Sequence, residues 1–499
     1  MPALFEILAE LVSESGVSQT FISSSTGVDK ADVSRILKGK RPPKKEFLEK
    51  LFDILCLPEI TRLEVLEQLE REKIGPLYDQ HMAVNNIITR ISQVDRPHYF
   101  AALPTLPPDT DMDITNGSFS NSYDINRLVE SLFSAACKKG QPFTVRICCP
   151  FEYTTIFDII WRYHVNGSVF SVEHMVRLEQ RSLPGTLNNL EIIGDLVPFN
   201  YAARDFYTAY YYYGSGRELD DIYTPYPYYL IIDNNLVLLS RYFSDAVLVT
   251  DSNVVKGFND SFNYCVSSEN EHCFCTHLIS YTNSADNIYD YFARQVMASC
   301  DSSDQVIHVL MSTPPLCPVF SPEQIAMHAR TEIPEIAQLA ENLVQLRHYM
   351  TETATDKKCL YIFSLEGLDR FLETGETIEY PPTLLTPFTP EERLLLLDTY
   401  MQLVLENDCC FVADSFKLAI PANIMARTLH NGTIDFLLYD TVDSPYGMTT
   451  ITFTEKSLHS AFMSFCEYIP NSPMVLHSKD AYECLWRRRE IFAARHGFE

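Results

Sequence analysis

Between residues 30 and 45 the chain carries Lys30, Arg35, Lys38, Lys40, Arg41, Lys44 and Lys45, against a single acidic residue, Asp32. Ammonium and guanidinium groups at that density suit phosphate oxygens. An arginine fork can also meet the two acceptors of a guanine edge. The rest of the chain argues the opposite way. Its 499 residues sum to a net charge of −27, of which residues 1–75, with 11 basic and 13 acidic side chains, hold only −2. An acidic bulk repels phosphate, so any nucleic-acid contact is confined to one end of the molecule.

Other residue types offer less. The 14 cysteines are scattered, and the adjacent pairs Cys148–Cys149 and Cys409–Cys410 sit in apolar runs. In a reducing compartment such thiols behave as small buried hydrophobes. Cys273-Phe274-Cys275, flanked by His272 and His277, has the form of half a metal site, but no second half follows at zinc spacing. No metal and no cofactor is therefore expected. The sequence contains no G-x-x-x-x-G-K-[ST], G-x-G-x-x-G, H-E-x-x-H or G-x-S-x-G. Thirteen dispersed histidines add no constellation. On these grounds no catalytic residue is assigned and the chain is read as a non-enzyme. Tyrosines crowd at Tyr207, Tyr210, Tyr211, Tyr212 and Tyr213, and again at Tyr223, Tyr226, Tyr228 and Tyr229. Rigid amphipathic rings suit recognition, yet the favoured reading is a strand and loop whose rings pack inward with wet hydroxyls. Trp486-Arg487-Arg488-Arg489 falls on a last helix, where it can pair with the acidic surface.

The elements that must position the cationic residues are short helices. Leu4, Leu8, Leu11 and Val12 recur at helical spacing over Ala3–Ser15, and Gly16 ends the run. Ser18 caps a second helix, Gln19–Ser25, and Thr26-Gly27-Val28 makes a tight turn. Asp29 caps a third helix, Lys30–Lys38, stopped by Gly39. Beyond Pro42-Pro43, helices follow at Lys44–Leu55 and Glu59–Lys73.

The stretch GVSQTFISSSTGVDKADVSRILKGKRPPKKEFLEKLFDIL resembles the Cro/phage-repressor helix-turn-helix family. The matching positions are Gly16, Ser18, Gln19, Ile22, Gly27, Val28, Val33, Ser34, Ile36, Gly39, Lys40, Pro43, Leu48, Leu51 and Leu55. The resemblance covers about 70 residues. It departs at Thr26, where the family has an apolar residue, and at Leu37, where Glu is common; Thr26 is expected to loosen the packing of the second helix. The resemblance implies double-stranded DNA as partner, bound by a homodimer on paired half-sites. It implies that Gln19 and Thr20 lie near phosphate and that Lys30, Ala31, Ser34 and Arg35 face base edges or the flanking backbone. Lys38, Lys40 and Arg41 are then phosphate contacts, and Arg35 is the guanine reader.

The larger remainder reads as α/β. Residues 95–122 have loop composition. Asp124–Lys139 reads as a helix and Phe143–Cys149, Val169–Leu178, Leu190–Val197, Tyr228–Asp233, Leu236–Arg241 and Ala246–Thr250 as strands; Glu323–Met350 reads as a helix broken near Pro334, Pro390–Asn407 as a helix, and Cys409–Ala413, Thr433–Tyr439 and Thr449–Thr454 as strands. A helix–strand … strand … strand–helix order thus occurs twice. The expected plan is a multidomain chain: an all-α helix-turn-helix domain (1–75), a helical linker and loop (76–122), one α/β lobe (123–282), a mainly helical connector (283–350) and a second, related α/β lobe (351–499). Duplicated lobes of this kind resemble the phospholipase D-like fold, which also serves as a non-catalytic sensor in regulators. Enzymes of that fold need H-x-K-x-x-x-x-D. Here the sole H-x-K is His477-Ser478-Lys479, with Cys484 in place of the aspartate. No apolar run reaches the ~18 residues of a membrane span, and the N-terminus carries no secretory signature, so a cytoplasmic location without membrane contact is expected.

Together these features predict a DNA-binding transcriptional regulator whose acidic C-terminal region receives an effector or mediates oligomerisation. Two alternatives stand beside it. One is an enzyme or defence effector that uses the N-terminal motif for targeting or autoregulation. The other is a mobile-element-associated module that binds protein.

Overall fold

The computed structural model describes residues 3–93, 115–179, 183–214, 224–267, 275–283, 307–316, 319–332, 359–380, 382–406, 409–428, 432–439 and 448–498, with isolated positions between 336 and 344. It divides into two compact units, Met1–Met82 and Ala83–Glu499.

The first unit is all helical: α1 (Leu4–Ser15), α2 (Gln19–Thr26), α3 (Lys30–Leu37), α4 (Lys45–Ile54) and α5 (Glu59–Ile74). Local chemistry sets the boundaries. Gly16 and Gly27 close α1 and α2 in the left-handed conformation. Ser18 Oγ accepts the Phe21 amide, and Asp29 Oδ1 accepts the Ala31 amide. Leu4, Leu8, Ile22, Val33, Leu48 and Leu51 form the centre of a small core. Thr26 does not loosen it. The residue is buried, and its hydroxyl donates to the Ile22 carbonyl at 2.8 Å, so its polar atom is satisfied within α2. Helix α6 (Tyr78–Gln93) contains the point at which the two units divide.

The second unit holds two mixed sheets. In the first, β1 (Gly117–Phe119), β2 (Phe143–Cys148), β3 (Phe170–Glu179), β4 (Tyr207–Gly214), β5 (Tyr228–Ile232), β6 (Asn235–Leu239), β7 (Ala246–Val249) and β8 (Thr276–His277) take the order β1-β7-β6-β5-β2-β3-β4-β8. The second contains β9 (Ile279–Asn283), β10 (Ile307–Met311), β11 (Cys359–Phe363), β12 (Cys410–Val412), β13 (Ile424–Thr428), β14 (Ile434–Tyr439) and β15 (Met448–Phe453). Read from β9, its order is β9-β15-β14-β13-β10-β11-β12. Seven consecutive positions therefore correspond strand for strand. The pairing senses correspond as well: three strands run parallel (β2-β3-β4; β10-β11-β12), and every other pair among the seven is antiparallel. The repeat is one of topology.

Helices cover the sheets. In the first lobe these are α7 (Ser122–Lys138), α8 (Thr154–Val165), α9 (Leu183–Ala202) and α10 (Ser252–Val266). In the second they are α11 (Pro322–Ala326), α12 (Leu365–Thr374), α13 (Pro390–Glu406), α14 (Lys456–Tyr468) and α15 (Ser478–His496). One continuous core joins the lobes, running from Ile147 and Leu230 through Leu190 and Ile193 of α9 to Phe462 of α14 and Phe436 of the second sheet. A separate core, with Phe363, Phe371, Tyr400 and Leu485, lies between the second sheet and α12, α13 and α15.

Two sequence expectations fail here. Leu190–Val197 was expected as a strand and lies inside α9. Its apolar residues Leu190, Ile193, Leu196 and Val197 follow helical spacing, which a short apolar run conceals. The segment 283–350, expected to be mainly helical, contains β10 at the centre of the second sheet. Most of the remaining helix expected at Glu323–Met350 lies outside the described residues, as do Pro97, Pro104, Pro107 and Pro108 of the expected linker. None of the helices described is long and apolar enough to cross a membrane.

The second sheet buries an ion pair. Arg427 Nη2 lies 2.8 Å from Asp435 Oδ2, with side chains 11% and 6% exposed, and Thr452 Oγ1 donates to Asp435 Oδ1 at 2.7 Å. Removing the carboxylate takes the paired anion away from a buried guanidinium. Asp435→Ala should lower the unfolding free energy by about 3–5 kcal/mol in urea titrations, and Arg427→Met/Asp435→Leu should recover most of it. A loss below about 1 kcal/mol for the single variant would contradict this account of the pair.

Candidate functional site

The nine residues singled out in the sequence lie on α2, α3 and the turn after α3. Thr20, Lys30, Ala31, Arg35, Lys38, Lys40 and Arg41 are exposed, while Gln19 and Ser34 are half-buried. The cationic patch is partly spent within the unit. Asp32 Oδ1 lies 3.1 Å from Arg35 Nη1, and its other oxygen binds Arg41. The bond to Arg41, followed by the field of both arginines, holds the Asp32 carboxyl below its usual range. The guanidinium expected to read a base is thus already engaged on its own helix.

The remaining motifs do not converge. His477 caps α15, and Lys479 is exposed in its first turn. Cys273 and Phe274 lie outside the described residues; Cys275 is buried, its thiol 3.5 Å from Met175 Sδ. Among the described residues, no three His, Cys, Asp or Glu side chains gather as a metal-holding group.

A site does form in the first lobe, and no motif announces it. A cavity of about 250 Å³ opens at the carboxyl ends of β2, β3 and β4. Parallel strands ending together leave a crevice there, the usual ligand position in sheets of this kind. Cys148 and Cys149 come from the end of β2, and Glu152 from the turn after it. Met175, Arg177 and Glu179 project from β3, Asn188 and Ile192 from α9, Tyr212 and Gly214 from β4, and Tyr228 from β5. Gly214 lies against the Arg177 guanidinium: a Cβ there would lie 2.2 Å from Arg177 Nε, so a side chain at 214 would displace that group.

The groups behind the cavity wall are uncharged. His174 is fully buried, with Nε2 2.7 Å from the Cys149 carbonyl and Nδ1 2.5 Å from the Tyr207 hydroxyl. A carbonyl only accepts, so Nε2 carries the proton and Tyr207 donates to Nδ1. Burial pushes the imidazole down to about 4. Burial likewise pushes the Cys149 thiol and the Tyr207 hydroxyl well up, and raises Cys148 to about 12. Neither cysteine is a thiolate nucleophile at neutral pH. The charged groups of the cavity are Arg177, Glu152 and Glu179.

At the corresponding end of the second sheet, Ser312 is tightly packed. Ser364 donates both its amide and its hydroxyl to the Ser312 carbonyl, at 3.2 and 3.1 Å. Gly367 of α12 packs so tightly against it that a Cβ would lie 1.9 Å from that oxygen.

No protein-family model and no curated protein matches the chain. Among solved structures, a polyphosphate kinase from Porphyromonas gingivalis aligns over 77% of this chain at 11% identity, with a TM-score of 0.23. The alignment spans 60% of that kinase. A phosphatidylserine synthase from Haemophilus influenzae Rd KW20 aligns over 81% of this chain and 97% of its own, at 10% identity and a TM-score of 0.22. Scores of this size carry neither fold nor activity across. Both aligned proteins are named as enzymes. The expectations of a transcriptional regulator, of operator DNA bound by a dimer, and of a non-enzymatic body find no support in these comparisons and are not carried forward.

The buried imidazole has a measurable consequence. In the unfolded chain His174 takes a proton near pH 6.5, and in the fold only near 4. Between those values the unfolded state binds more protons, so stability falls as pH drops from 6.5 to 4 and is unaffected above that window. His174→Gln should reduce this acid loss by up to about 3 kcal/mol, read from urea midpoints at pH 7 and pH 4.5. Equal pH dependence in the two proteins would show that His174 is not held neutral.

Proposed function

We propose that the second unit is an enzyme of phospholipase D-like architecture acting in the first-lobe cavity on a small molecule that carries one anionic group and a hydroxyl. The strand-for-strand repeat of the two sheets supports the architecture. The observation that carries the activity is a cavity at the parallel strand ends that holds one guanidinium and two carboxylates. Arg177 binds the anionic group and stabilises charge that grows during reaction. Glu179, whose Oε1 accepts from Asn188 Nδ2 at 3.1 Å, orients the hydroxyl. Glu152 activates water. For a phosphate monoester, water attacks phosphorus, Glu152 takes its proton, the ester P–O bond breaks, and Glu152 returns the proton to the departing alkoxide. Histidine is not the nucleophile in this reading, because both nitrogens of His174 are engaged.

In the same reading, α1–α5 form a helix-turn-helix of the Cro/phage-repressor type that serves the enzyme as an accessory recognition module. Gln19, Thr20, Lys30, Ala31, Ser34, Arg35, Lys38, Lys40 and Arg41 supply its contact face. The support is the Ser18 and Asp29 caps and the left-handed Gly16, Gly27 and Gly39.

Glycerol 3-phosphate tests the assignment. At about 100 times its dissociation constant it should stabilise the full chain by about 2.7 kcal/mol. Arg177→Ala should abolish that gain, and Glu152→Gln should keep it while lowering phosphate release by about 10²–10⁴-fold. Neither stabilisation nor phosphate release with the unaltered protein would overturn the assignment.

A further inference from the structure

The cavity belongs to the first lobe, yet its rim is fastened by the second. We infer that Asn189, Ser457 and Glu455 form a relay through which the second lobe positions the rim of the first-lobe cavity. The inference rests on the reading of that cavity as a ligand site. Asn189 is 1% exposed. Its Oδ1 accepts the Glu179 amide at 2.8 Å, and its Nδ2 donates to the Glu179 carbonyl at 3.1 Å. Both main-chain groups at the end of β3 are therefore held by one side chain. The same Nδ2 lies 3.3 Å from Ser457 Oγ, across the lobe boundary. Ser457 Oγ in turn donates to Glu455 Oε2 at 2.6 Å.

Glu455 is fully buried. As the cap of α14, its Oε2 also accepts the Leu458 amide at 2.6 Å. Its Oε1 accepts the hydroxyl of Tyr213. Tyr213 stands between Tyr212 and Gly214, both of which line the cavity, and Gly214 pairs in register with Glu179. One buried carboxylate at the start of α14 thus reaches the last turns of chain in both β3 and β4. A buried carboxylate with three donors is rigid, and a rigid anchor fixes the strand ends on which Arg177 and Glu179 are carried. Asn189 is a positioning residue; it acts through the backbone of Glu179.

Two readouts on the full chain decide this. Hydrogen exchange needs no ligand. Ser457→Ala, which cuts the link and leaves the Asn189 clamp, should raise exchange at 176–179 and 211–214 by about tenfold, and Asn189→Ala should raise it further. Ser457→Thr keeps the hydroxyl and should restore protection. Calorimetric titration with glycerol 3-phosphate gives the second readout. Ser457→Ala should weaken binding several-fold and Ser457→Thr should recover it, with thermal unfolding confirming that each variant is folded. Unchanged exchange in both alanine variants overturns the relay whatever the cavity binds. Raised exchange with unchanged affinity overturns the positioning role. Absence of binding by the unaltered protein sinks the cavity reading instead, and the exchange result then still stands for or against the relay.

Discussion

A strand that ends inside a protein must find partners for its last amide and carbonyl groups. The two lobes meet that constraint differently. In the second lobe, the turn into α12 folds directly onto the end of β10, and main-chain and hydroxyl donors of Ser364 close over the Ser312 carbonyl. The absence of a side chain at Gly367 lets the helix approach the Ser312 carbonyl closely. In the first lobe the strand ends are satisfied by side chains instead. His174 serves the Cys149 carbonyl, and Asn189 serves both main-chain groups of Glu179. Side chains reach further than backbone, so the helices stand back and a cavity is left.

Duplication supplies the scaffold on which that divergence acts. Seven strand positions and their pairing senses recur, while the residues at equivalent ends do not. A repeated topology preserves the common core, which depends on apolar volume, and leaves strand ends free to differ. The second lobe is not idle in this arrangement. Its core is continuous with that of the first lobe through α9 and α14, and the buried Glu455 sits at that junction. The stability of one lobe is thereby made available to the geometry of the other.

Legibility from sequence followed the range of the interactions. The helices of the first unit could be read because their boundaries are set locally, by Ser18, Asp29 and the glycines that follow α1 and α2. The first-lobe strands β2, β3, β5, β6 and β7 were legible from β-branched runs. Strands β10, β11 and β13 were not. Each is five residues long, and only pairing with distant chain makes it a strand. The cavity was invisible for the same reason. Its charged residues come from a turn and a strand, 25 and more positions apart, and only the register of β2 with β3 brings them together. The tyrosine cluster was the nearest signal. Packed rings with wet hydroxyls described part of it, but Tyr207 and Tyr213 direct their hydroxyls to His174 and Glu455.

The electrostatics of the cavity follow from what lies behind it. An imidazole, a phenol and a thiol are all held neutral by burial, so at neutral pH the wall adds no charge of its own. The field inside is that of Arg177 and the two carboxylates, set at the mouth against a neutral, poorly polarisable interior. Low-dielectric walls concentrate such a field. A charged His174 would add a second positive charge behind the wall, repelling cations and attracting anions as Arg177 does. Its neutral state keeps one cationic group on β3 as the sole attractor for an anion among the described residues lining the cavity. That guanidinium lies against Gly214 on the neighbouring strand, and the register of β3 with β4 places the two side by side.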